Sequence, residues 1–165
     1  EIRRPDGSIC APDEVGELYS RSPYLFNGYW GRPEETAETY RDGWVTVGDL
    51  ARQDAEGHLY IVDRLKDMVI SGGVNIYPRE VEEVIFRHPE VADVALIGVP
   101  DERWGEVLKA FVVRRAGSSL DEAALVAALE GQISRMKLPK YVEFIAQIPR
   151  NASGKVLKTA LRARG

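Results

Sequence analysis

After Asp63 the spacing of the apolar residues changes, and that change limits what the chain can become. Up to that point the apolar runs are short, at residues 15–20, 24–29, 44–47, 50–53 and 58–62. Each is bounded by turn formers such as Asp6-Gly7, Asn27-Gly28, Asp42-Gly43 and Glu56-Gly57, so each reads as a strand. Only residues 33–40 read as a helix, with Pro33 suited to its first turn. Beyond Asp63, strands alternate with amphipathic helices. Residues 78–87 place Val81, Val84 and Ile85 on one face and stop before Pro89. A second helix starts at Ser119, with Glu122 completing a capping box, and stripes Leu125, Leu129 and Ile133. Strands at 91–99, 107–114 and 141–145 fill the gaps. The expected fold is α+β: a β-rich module over residues 1–64, then over 65–165 a small domain of helices packed on a sheet with a three-stranded core, antiparallel or mixed.

With 44% hydrophobic residues in 165, the chain can bury a core. A net charge of -4, with Lys and Arg dispersed, argues against a nucleic-acid surface. No apolar run approaches the roughly 18 residues that span a bilayer, and no signal peptide opens the sequence, so a cytoplasmic protein without a transmembrane segment is expected. Cys10 is the only cysteine, and neither it nor His58 or His88 has metal-ligand spacing, so no metal site is expected. The chain opens on Glu1 in the middle of a strand-and-turn pattern and reads as a piece of something longer.

Three polar clusters carry the candidate chemistry. In Gly43-Trp44-Val45-Thr46-Val47-Gly48-Asp49 a carboxylate follows a glycine between two strands, where it suits either a turn or a pair of vicinal hydroxyls. The stretch DRLKDMVISGGVNIYP, from Asp63 to Pro78, joins a charged hinge, an apolar strand, a double glycine and a helix start. In PRNASGK, from Pro149 to Lys155, a turn supported by glycine presents one lysine, either as an ordinary surface residue or to an anion.

Taken in order, these clusters resemble the C-terminal third of the AMP-forming adenylating enzymes, the superfamily of acyl-CoA synthetases, peptide-synthetase adenylation domains and luciferases. VGELYSRSPYLFNGYWGRPEET is similar to its GEL...GY...P..T segment, GWVTVGDLA to its G-W-x-x-T-G-D element, DRLKDMVISGGVNIYPREVEE to its hinge segment, and PRNASGK to its terminal lysine motif. The resemblance covers essentially all 165 residues. It implies that residues 1–64 end the large AMP-binding domain and that 65–165 form a mobile lid.

The resemblance also implies roles. Asp49 holds the ribose hydroxyls of ATP, Arg64 helps bind the nucleotide, and Lys66 is the hinge. Lys155 bridges the substrate carboxylate and the nucleotide phosphate while acyl-AMP forms. After rotation of the lid, Ser71, Gly72 and Gly73 line the path of the pantetheine thiol of CoA, and Trp104 meets the coenzyme or packs at a sheet edge. Some aryl-CoA ligases carry an Arg where Leu138 stands, a contact that Lys137 or Lys140 would have to replace. ATP, CoA and a small carboxylic acid are the implied ligands, with Mg²⁺ accompanying ATP on ligands outside this chain. The rest of the N-terminal domain is the implied partner.

MVISGGVNIYPREVE is similar to the acyl-CoA ligase pattern, which favours a fatty or comparable apolar acid. The family's acyl pocket and phosphate loop are absent from these residues, so the fragment alone is expected to be inactive. Two other readings stay open: an adenylation domain loading a carrier-protein pantetheine, and a non-catalytic nucleotide-binding module.

Overall fold

The turn-punctuated first half folds as strands in the computed structural model, which describes residues 1–164. The chain divides into two units, the first of them Glu1–Lys66 and the second beginning at Asp67. In the first, β1 (Ile2–Arg3), β2 (Gly16–Leu18), β5 (Asp49–Gln53) and β6 (Leu59–Arg64) form an antiparallel sheet in that order. Gly16 is required by packing, because a Cβ there would lie 2.5 Å from both the Arg3 carbonyl oxygen and the Cys10 sulfur. The helix α1 (Pro33–Thr39) leads into the hairpin of β3 (Tyr40–Arg41) and β4 (Trp44–Val45). Asp42 (φ 50°) and Gly43 (φ 78°) make its two-residue turn, the positive-φ pair that matches the twist of a tight hairpin.

Residues 24–29 correct the expectation of a strand, since they pair with no other strand. Two of their rings pack locally instead: Phe26 lies 5.1 Å from Tyr29 and 5.9 Å from Tyr40, centroid to centroid. The backbone is tied to α1, with the Tyr29 amide donating to the Thr36 hydroxyl at 2.9 Å. An apolar run bounded by Asn-Gly looks like a strand from spacing alone, and only this side-chain cluster separates the two.

In the second unit, β7 (Val69–Ser71) and β8 (Val74–Ile76) turn at Gly72-Gly73, α2 (Pro78–Phe86) follows, and β9 (Val91–Asp101) and β10 (Gly105–Arg114) form a long hairpin. Then come α3 (Glu122–Leu129), β11 (Tyr141–Phe144) and a short α4 (Lys158–Arg162). β11 runs parallel to β10 while β9 and β7 run antiparallel to it, so the sheet is mixed. Side chains alternate across β9: Val94 and Leu96 enter one core with Val81, Ile85, Leu125 and Leu129, whereas Ala95 and Ile97 enter another with Phe111, Ile148 and Leu161. Burial on both faces explains the unbroken VALI run in the sequence. Full burial of the Phe111 ring contributes about 1.5–3 kcal/mol.

The cap of α3 corrects a second expectation. Asp121, not Ser119, caps the helix, its carboxylate accepting from the Ala124 amide at 2.8 Å. The Ser118 hydroxyl is used one turn earlier, accepting from the Leu120 amide. Ile133 lies past the end of α3 yet still packs on the core, and Ile145 lies just past β11.

Candidate functional site

Asp49 opens β5, and the pairing register sets it directly opposite Arg64, the last residue of β6. Their side chains meet, with Arg64 Nε 2.7 Å from Asp49 Oδ1. The guanidinium also donates to the Val47 carbonyl at 3.2 Å. The other carboxylate oxygen, Oδ2, has no hydrogen-bond partner among the described residues and can accept from a ligand hydroxyl. Gly48 (φ 74°) makes the turn that precedes Asp49, its amide donating to the Thr46 hydroxyl and its carbonyl accepting from the Leu65 amide. Val47, Gly48, Arg64, Leu65 and Lys66 line a recess of about 390 Å³. Glu17, Thr46 and Lys66 also wall a more polar hollow of about 730 Å³. The structure thus brings Asp49, Arg64 and Lys66 together in the first unit.

A second site lies in the second unit, around an apolar cavity of about 290 Å³ lined by Ser71, Trp104, Val107, Met136 and Leu138, with Arg135 and Lys140 on its wall. The register that sets Ser71 opposite Gly105 brings the double-glycine turn beside Trp104, and the Gly72 amide donates to the Trp104 carbonyl at 2.9 Å. Gly72 lies flush against the indole, whereas nothing stands within 4 Å of a Cβ built on Gly73. Trp104 is held from below by Asp101, whose Oδ1 accepts from the Arg103 and Trp104 amides, each at 3.0 Å, and whose Oδ2 accepts from the Lys140 ammonium. The bond from Lys140 first, and the Trp104 amide next, hold the Asp101 carboxyl below its usual range, and the bond to Asp101 raises the Lys140 ammonium above its own.

Lys140 is therefore engaged, and Lys137 donates to both carboxylate oxygens of Glu80 at 2.7 Å, so neither is an idle replacement for an Arg at position 138. Arg135 and Met136 line the cavity and escaped the sequence reading. Their stretch, SRMKLPK, has no hydrophobic period that would have marked it, and it folds as a short 3-10 helix over Arg135–Lys137.

Lys155 sits elsewhere in the second unit, on a turn closed by the Arg150 to Val156 bridge. The Asn151 carboxamide accepts from the Ser153 amide at 3.0 Å and from the Lys155 amide at 2.9 Å. The ammonium itself is exposed and has no partner among the described residues. Also among the described residues, no group of three or more His, Cys, Asp and Glu side chains is gathered to hold a metal ion, and no helix is long and apolar enough to cross a membrane.

Residues 80–155 match the AMP-binding enzyme C-terminal domain. The chain carries that domain. A feruloyl-CoA synthase of Amycolatopsis sp. is 51% identical over 160 residues, covering 97% of this chain and 33% of the relative. A medium/long-chain-fatty-acid–CoA ligase, FadD8, of Mycobacterium tuberculosis is 46% identical over 165 residues, covering 96% of this chain and 29% of the relative. ATP-bound MatB from Rhodopseudomonas palustris has a similar structure, with a TM-score of 0.92 and 40% identity over 99% of this chain and 33% of that one. The chain spans about a third of the length of the curated relatives it matches. Those relatives are CoA ligases named for different acids, aromatic in one case and aliphatic in the other.

Proposed function

We propose that this chain is the C-terminal part of an ATP-dependent, AMP-forming carboxylic acid:CoA ligase of the cytoplasm, with an apolar, fatty-type acid as the preferred substrate. Residues 1–64 close the large AMP-binding domain, and 65–165 are its mobile lid. The observation that carries the reading is that one small unit holds two separate and chemically different features: an exposed lysine on a braced turn, and an apolar cavity beside a tryptophan. A two-step reaction needs both. In the first step a carboxylate oxygen attacks the α-phosphorus of ATP and pyrophosphate leaves. Two anions approach each other there, and the Lys155 ammonium, bridging carboxylate and phosphate oxygens, stabilises the charge that develops. Asp49 accepts from the ribose hydroxyls through Oδ2, and Arg64 supports it while contributing positive charge near the nucleotide.

In the second step the thiol sulfur of CoA attacks the acyl carbonyl and AMP leaves. Rotation at Lys66 brings up the face that carries Ser71, Gly72 and Gly73, and the nucleotide end of CoA rests against Trp104. Arg135 on the cavity wall supplies positive charge for its phosphates. Mg²⁺ accompanies ATP without a donor set from this chain.

The test uses the full-length ligase. Lys155→Ala is expected to lower ATP/pyrophosphate exchange by about 10²- to 10³-fold, the usual cost of removing one preorganised charge-stabilising group. Thioester formation from supplied acyl-AMP should stay near wild type. Equal loss in both half-reactions would sink the role of Lys155.

A further inference from the structure

Arg150 stands five residues before Lys155, and its two terminal nitrogens do two different things. Nη2 donates to both carboxylate oxygens of Asp93, at 2.7 and 3.0 Å, while Nη1 donates to the Gly154 carbonyl at 2.9 Å. Gly154 is the residue directly before Lys155, so the fork grips the peptide unit from which the lysine projects. Asp93 belongs to β9, the strand buried on both faces, which makes its backbone a fixed reference point. The remaining bonds of the turn are internal to it: Asn151 N to Lys155 O at 2.9 Å, and Gly154 N to Asn151 O at 2.9 Å. Those bonds shape the turn but do not orient it relative to the sheet. Orientation comes from Arg150 and from Ile148, Val156 and Leu161, which pack on the second core.

An ion pair whose side chains are 41% and 30% exposed adds little to stability. Its geometric effect is larger, because a lysine reaching two reacting anions must arrive at a defined place. The guanidinium holds the carboxylate and the carbonyl through two different nitrogens fixed in one plane, whereas a lysine in place of Arg150 would have to reach both from a single nitrogen.

We propose that Arg150, oriented by Asp93, is a positioning residue for Lys155 in the adenylation step. This rests on the reading of Lys155 given above. Arg150→Ala in the full-length ligase lowers kcat of ATP/pyrophosphate exchange about 10- to 100-fold, the scale of a misplacement near 1 Å. KM for ATP stays within about twofold, and thioester formation from supplied acyl-AMP is unchanged. Arg150→Lys recovers only a small part of the loss, and Asp93→Asn, which keeps the shape of the side chain, gives a smaller loss of the same kind.

The deciding measurement is exchange by the Lys155→Ala/Arg150→Ala double variant beside both single variants. A residue that acts only through Lys155 adds no loss once Lys155 is gone. Full additivity, equal damage to both half-reactions, or wild-type exchange by Arg150→Ala while Lys155→Ala is crippled would each overturn the positioning role. Undiminished exchange by Lys155→Ala would instead remove the reading on which it rests, and the two failures are told apart by that one variant.

Discussion

Gly72 and Gly73 both have left-handed backbones, with φ of 55° and 81°, but they face different surroundings. A Cβ on Gly72 would stand 2.7 Å from Trp104 Cε3 and 3.0 Å from Cζ3, whereas a Cβ on Gly73 meets nothing within 4 Å. Each alanine therefore carries the left-handed penalty of about 1–2 kcal/mol. Only Gly72→Ala must also push back a ring, since comfortable carbon contacts lie near 3.5–4.0 Å and the ring has to retreat roughly 1 Å. Overpacking of that size costs about 1–3 kcal/mol. Trp104 is 40% exposed and can yield outward, which sets the extra cost near the lower end, about 1 kcal/mol. Urea unfolding of this chain followed by far-UV circular dichroism should place Gly72→Ala below Gly73→Ala by that margin, and the gap should close when both are made in a Trp104→Ala background. If the two glycines cost the same, or if the gap survives removal of the indole, the packing account of Gly72 is wrong.

Two further perturbations test the hinge and the Trp104 turn. Lys66 lies in a 3-10 turn over Leu65–Asp67, and Lys66→Pro fixes a φ that the proposed rotation of the lid would have to change. Exchange should persist in the full-length ligase while CoA transfer is lost, and normal overall turnover would refute the hinge. The Asp101 carboxyl titrates below its ordinary 3.8, so its bonds to Lys140 and the Trp104 amide are in place above that value and are lost as the pH falls through the depressed one. The Lys140 ammonium, raised above 10.5, keeps the pair intact up to alkaline pH. Indole NMR of Trp104 should thus be constant near neutrality and shift below about pH 4, a transition that Asp101→Asn removes.

Long-period features were legible in the sequence, and local competitions were not. The VALI strand and the faces of α2 follow from burial, which repeats along an element and leaves a pattern. Residues 24–29 show the opposite case, where aromatic rings satisfied one another without a partner strand. The cap of α3 turned on which of three neighbouring oxygens points at a free amide, a choice of angles that composition does not carry. The turn that presents Lys155 was legible because its chemistry is local, as was the glycine turn before Asp49. Arg150 lay in the quoted motif, but its partner Asp93 is 57 positions away, and only the fold makes them neighbours. The same holds for the Trp104 cavity, assembled from β7, β10 and the Arg135–Lys137 turn.

The second core has one further consequence. Ile148 and Leu161 lie on either side of Lys155 in sequence, and both are buried against Ala95, Ile97 and Phe111. The tail is thus a wall of the domain and not an appendage to it. Damage that removes residues 145–164 would lay open an entire face of the sheet along with taking away the lysine. In a clipped molecule of that kind, loss of Lys155 and exposure of a sticky surface, the mark by which a cell discards a protein, arrive together.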